Sequence, residues 1–274
     1  MAGASTISIQ DLSERIGAPD CPLLLDVRKA QAFAEGHDLL PTARWRDPAR
    51  AADWGHSVPR DAPVVVYCEH GREVSQTVTA SLRAAGVDAR ALVGGIEAWR
   101  AAGAPLVERS ERTDAMDRGR SLWVTRERPK IDRIACPWLV WRFVDRAAEF
   151  VYVAPASVEA VARELGGTPY DIPGVAFSHV GEACSFDAFI KTFGLADPAL
   201  DQLALIVRAA DTGRLDLAPQ AAGLLAFSLG LSALYKHDLA MLKVGVLLYD
   251  ALYAWCRKAS AETHGWPPAL PRAS

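Results

Sequence analysis

Cysteine is scarce in this chain of 274 residues, and the spacing of the few present excludes more than their number does. Cys21, Cys68, Cys136, Cys184 and Cys256 are odd in count and far apart, and no CxxC pair occurs. A disulfide framework is therefore not expected, and a reducing cytoplasm is the predicted setting. Charge of one sign is lacking too. The formal net charge is −3, so no basic field calls for nucleic acid or an anionic membrane as a partner. The opening MAGASTISIQDLSE has no basic region followed by an apolar run, so no secretory leader is expected. The most apolar stretch, APQAAGLLAFSLGLSALY (Ala218–Tyr235), has no charge but holds a proline, a glutamine, two serines and two glycines. A span needs about 20 mostly apolar residues, so this stretch predicts a buried helix. There is no internal repeat.

What is present divides near residue 107. Before it, strand and helix signals alternate. CPLLLDV (Cys21–Val27) and APVVVYC (Ala62–Cys68) are short continuous apolar runs, which suit parallel strands buried on both faces. SQTVTASLRAAG has a helical period and stops at Gly86, free to take a left-handed cap. ARALVGG (Ala89–Gly95) reads as a strand, and IEAWRAAG as a helix closed by Gly103. This pattern predicts an α/β three-layer sandwich with a parallel sheet over residues 1–107. ERSERTDAMDRGR, residues 108–120, has no apolar period and reads as a linker.

Beyond the linker, SLWVT, EFVYVAP and GVAFSHV read as strands. CPWLVWRFVDRAA reads as a helix with Pro137 in its first turn. DPALDQLALIVRAAD has Asp197 as cap and Pro198 at the first helical position. HDLAMLKVGVLLYDALYAWCRKA places Leu239, Leu242, Val246, Tyr249, Tyr253 and Cys256 at spacings of three and four along an amphipathic helix. Residues 121–260 thus read as a mostly α-helical α+β domain, and 261–274 as a proline-rich tail.

Cys68 ends a strand just before a helix. Backbone N–H groups without intrahelical partners gather there, at the positive end of the helix dipole. A thiolate is stabilised in such a place, and an anion or a persulfide sulfur can be held there. Gly71 suits a tight cradle. Arginine is absent six residues after the cysteine, where Val74 stands, so phosphatase chemistry is disfavoured. The alternative is an idle, packed thiol.

In the second half, DIPGVAFSHVGEACSFD gathers Asp171, His179, Glu182, Cys184 and Asp187, all metal-ligand types, and Asp211 follows a helix later. No HExxH-like spacing is met. The competing reading is a hydrogen-bonded histidine with capping acids. TRERPKIDRIACPWL carries Arg126, Arg128, Lys130 and Arg133 ahead of a helix. Arg126, Lys130 and Arg133 are candidates for an oxyanion, against a solvated basic face.

Taken in order, LLLDVR, EGH, VVVYC and LVGGIEAWRAAGAPL resemble a rhodanese domain over most of residues 5–107. The resemblance implies that Cys68 accepts a sulfane sulfur as a persulfide, cradled by Glu69, His70, Gly71, Arg72, Glu73 and Val74. Where many rhodaneses have arginine five residues after the cysteine, this chain has Glu73, so thiosulfate, a dianion, is expected to be a poor donor. Asp26, Arg28 and His37 are expected to be structural. LWVTRERPKIDRIACPWLVWRFVD, FDAFIKTFGL and IVRAADTGRLD are similar to the C-terminal domain of the ChrB chromate-resistance family, over residues 121–258. That resemblance implies a role in chromate resistance and a site around His179, Cys184, Asp187 and Asp211, for a metal (zinc or iron) or an oxyanion. The DNA-binding region of full-length regulators does not carry over.

Two active readings and one silent reading follow. In one, a cytoplasmic sulfurtransferase uses a Cys68 persulfide in the service of the second domain. In the other, a chromate- or metal-responsive sensor or detoxification protein carries an accessory rhodanese domain. A third leaves both sites silent. Expected partners are a small sulfur donor or an oxyanion, with neither membrane nor nucleic acid.

Overall fold

The computed structural model describes residues 5–110, 112–113 and 119–262. Residues 111 and 114–118 of the expected linker and 263–274 of the expected tail lie outside the described residues.

The first half runs β1 (Thr6–Ile7), α1 (Ile9–Ser13), β2 (Leu23–Asp26), α2 (Ala30–Glu35), β3 (Asp38–Leu39), β4 (Arg44–Trp45), α3 (Ala51–Trp54), β5 (Val64–Tyr67), α4 (Glu73–Ala84), β6 (Ala89–Leu92), α5 (Gly95–Ala101) and β7 (Val107–Glu108). Five strands form a parallel sheet in the order β1-β6-β5-β2-β4. The continuous apolar runs have a direct cause. Val65 and Tyr67 of β5 face a core shared with Leu12, Ile96 and Trp99. Val64, Val66 and Cys68 face Val78 and Leu82 of α4, with Trp54 alongside. With helices on both faces, the central positions of β2 and β5 are left to apolar side chains, and each such buried residue adds about 1.5–3 kcal/mol.

The second half runs β8 (Leu122–Arg126), α6 (Asp132–Leu139), β9 (Glu149–Val153), α7 (Val158–Leu165), β10 (Thr168–Pro169), α8 (Ser185–Thr192), α9 (Pro198–Asp211), α10 (Ala221–Leu234) and α11 (Asp238–Ala254). Its three strands are parallel, in the order β10-β8-β9. As expected, Asp197 caps α9 by accepting from the N–H groups of Ala199 and Leu200.

Three expectations change. GVAFSHV forms no strand, only isolated bridges at Tyr170–Phe177 and Val180–Ala183. The helix expected to open near Cys136 opens at Asp132, so Pro137 lies inside it. Proline has no N–H for the carbonyl four residues back. That carbonyl, of Arg133, instead accepts from the Tyr152 hydroxyl at 2.8 Å, so the proline leaves no buried acceptor unpaired. The helix expected to be buried, α10, buries only Ala221, Leu224, Ser228 and Ser232 and leaves Phe227, Leu229 and Leu234 exposed. Leu239 of α11 is likewise exposed, whereas Leu242, Val246, Tyr249, Tyr253 and Cys256 are buried. Of the described helices, the continuous run Asp238–Ala259 is long and apolar enough to cross a membrane, but its packed side belongs to the core of the second half.

The two halves share one apolar core. Their polar contacts gather where strands of the first sheet begin. Arg146 donates to the carbonyls of Cys21 and Pro22, just before β2. The Thr42 N–H donates to the Phe143 carbonyl at 2.9 Å, and Arg44 pairs with the buried Asp145. Arg257 donates to the Ser13, Glu14 and Ile16 carbonyls. The described part of the expected linker is packed. β7 pairs antiparallel with β3, and Arg112 sits 5.0 Å from the Phe177 ring and donates to Thr168.

Candidate functional site

Cys68 follows β5 at the C-terminal end of the parallel sheet, the end opposite those contacts. Its residue is buried, and its Sγ donates to the Ser75 hydroxyl at 3.2 Å. The loop after it is shaped by glycines on two separate segments. Gly71 has φ +64°, and a Cβ there would stand 2.4 Å from the Leu92 carbonyl oxygen. Gly95 has φ +62°, and a Cβ there would stand 2.3 Å from the Cys68 oxygen and 2.5 Å from the Glu69 oxygen. Only glycine lets these backbones approach so closely. The start of α5 then holds the loop, with the Ile96 and Glu97 N–H groups donating to the Cys68 and Glu69 carbonyls, each at 3.0 Å. Their carbonyls are thereby turned away from the cradle. Among the described residues, no acceptor takes the N–H groups of Glu69, His70, Gly71 or Arg72. The first-turn N–H groups of α4 add further donors. The glycine pair of LVGGIEAW is thus a clamp on the cysteine loop. Glu69, His70, Arg72 and Glu73 are exposed, Val74 is half-buried, and Gly71 is buried.

Below this loop, Asp26 and Arg28 form a buried ion pair at 2.6 Å, and Arg28 also donates to the Asp38 carbonyl. They tie the end of β2 to the segment that leads into β4. Their place is structural.

In the second half, His179 stands among three carboxylates. Its Nε2 lies 3.2 Å from Asp211, 3.5 Å from Asp132 and 3.5 Å from Asp171. Asp132 opens α6, Asp211 ends α9, and Asp171 and His179 come from the loop before α8. Asp132 and Asp171 are buried, Asp211 is half-buried and His179 is open to solvent. Asp171 also accepts from Ser185 Oγ and pairs with Arg126 and Arg133. Asp132 Oδ2 accepts from the Ser185 N–H at 2.6 Å, whereas its Oδ1 is buried with no hydrogen-bond donor. The hydrogen bond to Asp132 raises the His179 pKa to about 9. Burial, then the charges of Asp132 and Asp171, raises Asp211 to about 7. Burial also raises Asp132. Among the described residues, four non-glycine residues have positive φ, and three of them, Arg128, Ile131 and Asp171, belong to or flank this cluster. Strained backbone of this kind persists where surrounding structure enforces it, and it collects at functional sites.

The expected ligand set is only partly assembled. One ligand atom each from Asp132, His179 and Asp211 lies within 4.8 Å of the others, a spacing that suits a metal ion. Asp187 is elsewhere engaged, paired with Arg208 at 2.6 Å and accepting from the Cys184 N–H at 2.8 Å. Cys184 is fully buried beside Asp132, and burial together with that carboxylate pushes its thiol pKa up. Arg126 and Arg133 of the expected oxyanion group are turned to Asp171, and only Lys130 has no ion pair among the described residues. Asp132 is the residue that ligand-type counting passed over, because it lies far in sequence from His179. Its one signal was its place in LWVTRERPKIDRIACPWLVWRFVD, the stretch similar to the ChrB family.

A parallel α/β sandwich with a cysteine in an N–H-lined loop at a strand end defines a rhodanese-like domain. Comparison with known proteins places both halves. The family model for the rhodanese-like domain matches residues 8–102, and that for the ChrB C-terminal domain matches residues 123–256. The chain belongs to the rhodanese-like family and carries a ChrB C-terminal domain behind it. Thiosulfate sulfurtransferase GlpE of Pseudomonas putida is 41% identical over 80 residues, which is 29% of this chain and 70% of that protein. Protein ChrB of Cupriavidus metallidurans is 34% identical over 133 residues, 48% of this chain. The match spans only 39% of the length of that ChrB relative. Among solved structures, a rhodanese-related protein from Thermoplasma volcanium aligns at 25% identity with a TM-score of 0.33, over 37% of this chain and 96% of that one.

Proposed function

We propose that this chain is a cytoplasmic sulfurtransferase-like protein in which Cys68 carries sulfane sulfur as a persulfide, joined to a metal-binding domain and serving chromate resistance. The observation that carries the first part is the Cys68 loop, with its free N–H groups and glycine clamp. The Cys68 thiolate attacks the sulfane sulfur of a donor. An S–S bond forms to Cys68, and the donor's own bond to that sulfur breaks, its electron pair leaving with sulfite or a thiolate. An acceptor nucleophile then attacks the outer sulfur, and Cys68 departs as thiolate. Negative charge stays on sulfur before and after each step, facing the loop donors. Glu69 and Glu73 at the rim disfavour a dianion, so a persulfide is the better donor class. Because the second half is bound at the other end of the sheet, the acceptor is a molecule outside this chain.

Asp132, His179 and Asp211 would hold a divalent cation. The donorless Asp132 Oδ1 fits that role, and mixed nitrogen and oxygen ligands suit zinc or iron better than magnesium. Bound there, the ion would supply a Lewis acid or a staple for the loop before α8.

The test is sulfur loading of the full chain from a small persulfide, followed by mass spectrometry. One added sulfur on Cys68 is expected, with none on Cys68→Ser; equal loading of the two proteins would refute the assignment. The histidine–carboxylate cluster also supports the sensor reading. If cells with Cys68→Ser keep full chromate tolerance while those with His179→Ala lose it, the rhodanese domain is accessory.

A further inference from the structure

The hairpin of α10 and α11 has an outer surface unlike the rest of the molecule. α10 contains no charged residue, and all of its exposed positions are Ala, Gly, Leu or Phe. Among the exposed positions of α11, only Lys243 is charged. The large side chains stand far out: Phe227 is 65% exposed, Leu234 78%, Leu239 55% and Leu247 62%. Leu234 and Leu239 lie on either side of the short turn between the helices. A soluble monomer gains nothing from such a surface, which costs hydration free energy and invites association.

We propose that this hairpin is the contact through which two copies of the chain form a two-fold symmetric dimer. Three observations select a second copy as the occupant. The first is area. With about 200 Å² for a fully exposed large apolar side chain, the exposed Phe, Leu and Val of the two helices offer on the order of 600 Å² per copy. Small residues between them bring the total near the roughly 800 Å² per partner of a standard interface. The second is charge. The turn carries Lys236 beside Asp238, and Lys243 lies one helical turn on. A two-fold axis can set a lysine of one copy against Asp238 of the other, whose carboxylate also accepts from the Arg128 N–H of its own chain. The third is anchorage. The inner side of α11 is committed to the protein core through Met241, Leu242 and Val246, with the Tyr249 hydroxyl on the Ile131 carbonyl and the Tyr253 hydroxyl on Asp197. The helix therefore has one face for a partner and cannot leave to span a bilayer.

The small residues allow helices to approach closely while Phe227, Leu234 and Leu247 fill the space between them. Sedimentation velocity of the full chain at micromolar concentration tests this. A dimer is expected, and Leu234→Glu combined with Leu247→Glu should give a monomer with unchanged far-ultraviolet circular dichroism. The milder Leu247→Ser alone should raise the dimer dissociation constant by roughly tenfold or more, which keeps the proposal testable should the double variant misfold. A wild-type monomer overturns the proposal, as does a dimer indifferent to Leu247→Ser. A monomer that pellets with vesicles of mixed phosphatidylglycerol and phosphatidylcholine overturns it in favour of a lipid surface.

Discussion

The Cys68 loop draws its working groups from one run, Cys68–Ser75, and most of them are backbone amides. The cluster around His179 draws side chains from α6, α9 and the loop before α8. The loop site depends on the path of the main chain, so its critical neighbours are glycines. Apart from Cys68 and its buried partner Ser75, its polar side chains, those of Glu69, His70, Arg72 and Glu73, are exposed and can vary. The cluster depends on side-chain identity at separated positions, so its main chain need only be held, and two of the residues that hold it are at positive φ. One chain therefore contains a site that a methyl group can close and a site that a single lost carboxylate can empty.

Substitutions at the ligands should separate the two sites most sharply. In the full chain without a histidine tag, Asp132→Ala and His179→Ala should each weaken zinc or iron binding by more than about 100-fold, beyond what losing a residue that only supports a ligand costs. The melting-temperature gain on adding metal should vanish with it. Asp187→Ala, which breaks the pair with Arg208, should leave metal stoichiometry unchanged. If metal analysis shows Asp187→Ala to be as damaging as Asp132→Ala, the cluster has been drawn wrongly.

A matched pair of glycine substitutions addresses the other site. Gly95→Ala should destabilise the protein by about 2–4 kcal/mol and slow sulfur transfer at least tenfold, because the new Cβ collides with the Cys68 and Glu69 carbonyls. Gly103, at φ +66°, meets nothing within 4 Å of its Cβ position. Gly103→Ala should therefore cost only about 1 kcal/mol and leave transfer intact. Equal losses in chemical denaturation would mean that strain in φ alone, and not the clamp, sets the cost.

Titration gives a smaller signal, with a sign that metal reverses. In the folded chain His179 is raised from 6.5 to about 9 and Asp211 from 3.8 to about 7. Both bind protons more tightly folded than unfolded. Their contribution to stability is fully present at low pH and is lost as pH rises through about 4 to 9. Metal requires the deprotonated ligands, so with zinc added the trend over that range should turn upward. Urea midpoints measured with chelator and with zinc check this, and parallel curves would count against a shared site.

The smallest effect concerns the rim. Glu73→Gln should raise turnover with thiosulfate a few-fold at low salt and change turnover with a persulfide little, since an exposed charge acts weakly and is screened. A steady-state comparison of the two donors would show it.

The loop site was legible because everything it needs is local. An apolar run, a cysteine, a glycine and a helical period, read in order, already imply a strand end feeding a nest of amides. The glycine pair at Gly94 and Gly95 was legible only as part of a motif, since its contact with Cys68 crosses from one βα unit to the next. His179 and Asp211 were legible as ligand types, but Asp187 was drawn in by nearness in sequence. Its carboxylate is neutralised by Arg208 from a facing helix, a partner that spacing cannot name. Asp132 was missed for the converse reason.

Taken alone, the sequence determined the parallel sandwich, the placement of Cys68 before α4 and the cap of α9, because hydrophobic period, φ preference and capping act over a few residues. Tertiary structure alone decided that Tyr152 would satisfy the carbonyl orphaned by Pro137, that Asp132 would meet His179, and that half of α10 would face outward. Those outcomes depend on which surfaces meet across the fold, and a helix's apolar arc has the same period whether or not a partner covers it.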